Sequence, residues 1–271
     1  ATELKDEIMN RIKDNKHPLL SAALAVGIVA FAGSATAGIQ GSKHDLSING
    51  ASQLGGTSGT TEICVFCHTP HGSDTSASVP LWNKSLPTTS YTRYAALGTS
   101  SLDGTEAPVG SVSLACLSCH DGTQALDVMI NAPGSGNYTV GGANFAGGNL
   151  MTNTGGEPIP NLSSDLQNDH PISIQYAGGG VDQNSTGTLD NTLFVDKDFK
   201  EIKTSSVNGA TIWWVDGDAD TTRSKQEMHL YSRDDITPGT FEPFVECGSC
   251  HDPHNGDTTE QTFLRINHEN S

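Results

Sequence analysis

Apolar residues cluster along this chain more than they recur. The longest uninterrupted stretch, PLLSAALAVGIVAFAG, starts at Pro18, and residues 18–37 carry no charge. Short alternating runs at TLFVD (192–196) and TIWWVD (211–216) predict strands, and EMHLYSR (227–233) alternates as a half-buried strand does. Residues 131–210 are rich in Gly, Asn, Ser, Thr and Asp, as in GSGNYTVGGANFAGGN and YAGGGVDQNSTG. No helical apolar period persists there, so the tract predicts loops, anchored near its middle by DHPISIQY. Helices are expected to be brief and to sit mostly at the cysteine motifs described below.

Composition changes this picture in one respect. Only 35% of the 271 residues are hydrophobic and 6% aromatic, while 30 are glycine. An ordinary apolar core would be thin for such a length, so something other than side chains is expected to fill it. Charge removes whole classes of partner. Lys and Arg number 14 against 31 Asp and Glu, a formal net charge of -17, which offers no field to hold nucleic acid or an anionic membrane surface.

Lys5, Arg11, Lys13 and Lys16 precede the long apolar run, and Ala35-Thr36-Ala37 follows it as a small-residue cleavage site. That order is the pattern of a secretory leader. The uncharged segment numbers 20 residues, also long enough for an anchor. Residues 1–37 are therefore assigned to a signal peptide or N-terminal anchor and 38–271 to one functional domain. The protein is expected to be exported, to the outer surface or extracellular space, or else to the periplasm.

All six cysteines fall in three copies of one pattern: CVFCH (64–68), CLSCH (116–120) and CGSCH (247–251). Disulfide pairing would not require a histidine after each pair. A zinc site joins two separate pairs and would leave the third histidine unexplained. C-x-x-C-H reads as c-type haem attachment. Two thiols about one helical turn apart face one porphyrin edge, and the next histidine turns under the ring. Cys64, Cys67, Cys116, Cys119, Cys247 and Cys250 are thus the candidate attachment residues for three c-type haems. His68, His120 and His251 are the candidate proximal iron ligands.

An iron that only carries electrons takes a sixth ligand as well. His71 and His254 occupy matching positions in CHTPH and CHDPH. The peptide leaving a proximal histidine cannot cross its own ring within three residues. Each of these two is therefore expected to reach a different iron, in the same chain or in a neighbouring subunit, or none. His170 in NDHPIS is held extended by Pro171, which suits a loop presenting one ring nitrogen. His44 in GSKHDLS sits near the presumed mature N-terminus, on an arm able to reach its own or an adjacent subunit. His229 reads as core, His268 as tail, and Met129, Met151 and Met228 as weaker alternatives.

A second cation pattern lies in DGDADTTRSKQE (216–227). Asp216, Asp218, Asp220, Thr222 and Glu227 take positions 1, 3, 5, 7 and 12 of a calcium loop. Thr221 stands where that pattern has glycine, and a strand precedes it, so no helix–loop–helix hand is formed. A Ca2+-stabilised turn and a solvated acidic turn both remain open.

Together GSKHDLS, CVFCHTPHG, PLWNKS, CLSCHDGT, NDHPIS, IWWVD…HLYSR and CGSCHDPHN…TFLR resemble bacterial multihaem c-type cytochromes with paired C-x-x-C-H motifs. These include electron carriers of metal-reducing bacteria and subunits of extracellular cytochrome filaments, the so-called nanowires. The resemblance covers most of residues 41–267. It implies a chain of mostly irregular loops, with short helices and a few short strands, packed around a row of haems. It also implies His44, His71, His170 and His254 as distal iron ligands. Such relatives commonly continue past the FLR segment into a fourth C-x-x-C-H, where the present sequence ends at Ser271. A three-haem form with a spare histidine is one expectation and a further motif beyond Ser271 the other. The functions in contention are a polymerising electron conduit, with a ligand donated across subunits, and a discrete electron shuttle. Either would exchange electrons with other redox proteins or extracellular acceptors. A multihaem reductase would need one open iron site.

Overall fold

Regular structure in this chain is mainly β. The computed structural model describes residues 38–54, 58–98, 103–134, 138–153, 159–189, 192–255 and 262–266. The expected leader, His17 and His268 lie outside them. The described residues belong to the unit Ala37–Ser271. Strand β1 (Val128–Asn131) pairs antiparallel with β2 (Tyr138–Asn144). A six-stranded sheet holds β3 (Ile174–Gln175), β4 (Thr188–Leu189), β5 (Ile202–Val207), β6 (Ala210–Val215), β7 (Met228–Arg233) and β8 (Glu242–Val245). Its spatial order is β3-β8-β7-β6-β5-β4, with every pairing antiparallel. Two α-helices occur among the described residues, α1 (Ser111–His120) and α2 (Cys247–Cys250), and both carry cysteine motifs.

This architecture overturns the expectation of a loop-and-helix chain packed around haems: a curled antiparallel sheet organises the second half. The strand expected at 211–216 is present as β6, one residue earlier. TLFVD forms turns instead. Its apolar residues signal burial, because Phe194 is 1% exposed and closes over the sheet beside Tyr176, Leu189, Ile202, Trp213 and Leu230. Strand β5 (IKTSSV) has too few apolar residues to announce itself. It forms because Asn208 and Gly209 both take left-handed backbone (φ 51° and 82°). A two-residue Asn-Gly turn of that kind matches the strand twist and pairs Ile202–Val207 with Ala210–Val215.

The Gly-rich tract expected to be loops also contributes strands, including β2, whose sequence YTVGGAN has little apolar content. A second core lies at the other end of the chain. Leu46, Leu54, Phe66, Leu126 and Met129 pack together there, with Cys67, Cys119 and Met151 against them. The first and second cysteine motifs therefore share one apolar cluster.

Candidate metal centres

Each cysteine motif is shaped differently, yet each treats its histidine the same way. The first is a 3-10 turn, Cys64–Phe66, in which the His68 N–H reaches the Cys64 carbonyl at 2.8 Å. The second ends α1, and the third opens α2 behind a capping box between Glu246 and Ser249. His68 Nδ1 donates to the Pro80 carbonyl at 2.8 Å. His120 Nδ1 donates to Pro160 at 2.6 Å and His251 Nδ1 to Thr262 at 2.6 Å. A carbonyl accepts only, so Nδ1 carries the proton in all three and the lone pair sits on Nε2. Metal-ligating histidines are oriented in this manner by a partner of their other nitrogen.

The three histidines also find equivalent partners. His68 faces His254 with ring centres 6.1 Å apart and planes 16° apart. His251 faces His170 at 6.1 Å and 20°. His120 meets His44 at 6.1 Å with planes nearly perpendicular, 82°. A metal–nitrogen bond of about 2 Å on each side, plus roughly 1 Å from each nitrogen to its ring centre, gives about 6 Å between two axial imidazoles. The observed 6.1 Å matches the room one metal ion needs between the rings of each pair.

Electrostatics suit ligation. Burial first, then the nearby His120, pushes His44 down to about 4, so its ring is neutral, the form that binds metals. Its Nδ1 is buried, the Pro253 carbonyl lies near enough to favour a proton on the ring, and the ring stacks on Phe263 at 4.1 Å. His120 is likewise lowered, mainly by burial. His254 Nδ1 lies 3.7 Å from the Asp252 carboxylate, the kind of partner that orients a metal ligand.

Among the sequence candidates, His44, His170 and His254 are thus each set opposite one motif histidine. His71 is not. Its ring is exposed and makes no hydrogen bond or ring contact among the described residues, while its carbonyl accepts from Thr69 and Asn131. His44 is no free arm: it is held in the interior of its own chain. His229 is occupied on both nitrogens, by Arg223 at 2.8 Å and the Ser224 carbonyl at 2.7 Å, and is structural. Met129 is buried in the apolar cluster, whereas Met151 and Met228 are only partly buried beside their cores.

The motifs approach one another through their cysteines. Cys116 and Cys247 sit within hydrogen-bonding reach, and Cys119 lies near enough to Cys67 to add to the cost of ionising the Cys67 thiol. Burial, more than that neighbour, pushes the Cys67 thiol up to about 12. No three Cys or His ligand atoms lie within 4.8 Å of one another among the described residues, the approach a shared zinc site requires.

Several buried charged residues carry no signal in the sequence, Glu246 and Lys84 among them. Glu246 accepts from Ser113 Oγ at 2.5 Å, Ser173 Oγ at 3.0 Å and Arg233 at 2.7 Å. Ser113 Oγ in turn accepts the Cys247 N–H at 3.0 Å, so one carboxylate ties α1 to α2. Lys84, fully buried, donates to the carbonyls of Ala125, Leu126 and Val128 at 3.3, 2.9 and 2.6 Å. Its neighbour Asn83 bonds the Val65 and Asn131 carbonyls. The only local signal was PLWNKS, which has no periodicity to mark it.

In the acidic loop, Asp216, Asp218 and Glu227 bring carboxylate oxygens within 4.8 Å of one another. Asp220 and Thr222 are exposed there, the Asp220 carboxylate accepting from the Thr222 N–H at 2.6 Å. No helix among the described residues is long and apolar enough to cross a membrane. No family model matches the chain, and neither does any curated protein.

Proposed function

We propose that this chain carries electrons through three covalently bound c-type haems, each with two histidine ligands, and performs no substrate chemistry. The observation that carries this reading is the threefold pairing of a motif histidine with a second histidine at 6.1 Å. The pairs are His68 with His254, His120 with His44, and His251 with His170. Bound haem supplies the reversible one-electron couple. The six cysteines would hold the haems through thioethers and the paired histidines would ligate the irons, while backbone carbonyls fix the tautomers of the motif imidazoles. A reductase needs one axial position open, and each motif histidine already faces a partner.

The resemblance to cytochrome filament subunits gives His71 a role. Its ring is exposed while the three motif histidines are already matched, so it is not needed by any of these three irons. We assign it to the contact between copies of the chain, in a homopolymer that conducts electrons outside the cell. Redox proteins or extracellular acceptors would then meet the polymer at its ends or sides. The leader-like residues 1–37 support export.

Intact mass spectrometry and visible spectroscopy of the purified exported protein test the haem reading. Three haem additions per chain and a wholly low-spin spectrum are expected. Absence of a Soret band, or a high-spin component in the untreated protein, would overturn it. Electron microscopy then separates conduit from shuttle: uniform filaments support the first, and discrete particles at every concentration support the second.

A further inference from the structure

We propose that the loop Asp216–Glu227 between β6 and β7 is a Ca2+ site, independent of any haem. Two oxygens each about 2.4 Å from one ion can be at most about 4.8 Å apart. Carboxylate oxygens of Asp216, Asp218 and Glu227 all meet that limit. Three acidic residues close together do not make a site, since solvent can satisfy them. Asp216 is different: its side chain is only 2% exposed, and its Oδ1 is buried with no hydrogen-bond partner. The nearest cation to it, Lys203, stands 3.9 Å from Oδ2 and gives hydrogen bonds to Thr188 at 2.7 Å and Glu201 at 2.9 Å. A buried carboxylate oxygen with no donor is costly unless a cation meets it.

The surrounding chain is already arranged as a cation loop. Glu227, itself buried, accepts the Ser224 N–H at 2.6 Å and the Gly217 N–H at 3.3 Å, closing the loop's two ends. Thr221, at the position where calcium loops have glycine, takes φ +64°. Left-handed backbone is strained for a β-branched residue. The ligand set is all oxygen, carries three negative charges and has irregular geometry. Ca2+ accepts that readily, whereas Mg2+ demands a near-ideal octahedron. The loop also bears on the third motif: Arg265 bonds both the Lys225 carbonyl in the loop and the Gly248 carbonyl in α2, each at 2.9 Å.

Titrating CaCl2 into chelator-stripped full-length protein at 0.15 M NaCl, followed by calorimetry, tests the site. One ion per chain is expected, with Kd about 0.1–1 mM, the range of extracellular calcium modules. Saturating Ca2+ should raise the melting temperature by roughly 3 °C. Asp218→Asn alters an exposed side chain and should melt like the wild type without Ca2+, yet bind at least tenfold more weakly. Asp216→Asn should weaken binding as much. No Ca2+-dependent heat in the wild type, or wild-type binding by either variant, would overturn the proposal.

Discussion

His254 and His71 both follow a motif histidine by three residues, and their surroundings divide them. His254 is turned toward His68 and backed by Asp252, whereas His71 points to solvent. A ring three residues from a ligand cannot return to the same iron, so the fate of each depends on which other motif lies nearby. His44 offers the sharpest residue-level test, because its plane stands at 82° to His120 while the other two pairs are within 20°. Perpendicular axial imidazoles give a low-spin ferric haem with a strongly anisotropic EPR signal, and near-parallel ones give a rhombic signal. One anisotropic and two rhombic species are expected. His44→Ala should remove the anisotropic signal alone and replace it with a high-spin one.

Lys84 is a second residue-scale case. It is a buried cation that no carboxylate pairs among the described residues, and it acts on Cys67. A positive charge near an iron favours the reduced state. Lys84→Met should therefore shift the first motif's haem to a lower reduction potential, by about 59 mV if its equilibrium changes tenfold. Spectroelectrochemical titration reads this separately from the loss of about 3 kcal/mol expected from the missing hydrogen bonds. An unchanged potential in a destabilised protein would leave Lys84 a purely structural staple.

At the scale of elements, the two helices depend on one acid. Burial raises the pKa of Glu246, and Ser113, Arg233 and Ser173 oppose that shift as the donors to its carboxylate. Removing one partner of a buried charge pair costs about 3–5 kcal/mol. Glu246→Ala should accordingly lower the melting temperature by roughly 10 °C, measured by circular dichroism. Weakened interaction between the second and third haems is expected alongside, since Ser113 and Cys247 lose their common anchor. Among the strands, β6 and β7 were legible from TIWWVD and EMHLYSR. The hairpin β5–β6 carried a signal too, in Asn208-Gly209, that alternation alone does not show. Strands β3 and β8 pair across some 70 residues of chain, and no local window contains that information.

For the molecule as a whole, the proposed homopolymer is tested at His71. On the proposed reading His71→Ala should keep three low-spin haems per chain and the wild-type melting temperature, because the exposed ring makes no hydrogen bond or ring contact among the described residues. Filaments should be lost under the electron microscope. Retained filaments would move the bridging role to another group, and a changed spin state in dispersed protein would place His71 within its own chain.

The candidate haem motifs are written in contiguous residues: two thiols and a histidine within five positions need only a local turn, so the candidates could be named from the chain alone. The calcium-loop candidates were legible for the same reason, as side chains at fixed offsets along one turn. Which histidine stands opposite which is another matter. His44 meets His120, His170 meets His251 and His254 meets His68 only after the sheet, the Glu246 network and the apolar cluster have brought distant segments together. The sheet itself arises from pairings whose partners are far apart in the chain, between strands of weak or polar pattern. Local geometry was therefore determined by the sequence itself, and the pairing of sites and the β architecture were decided by tertiary contacts.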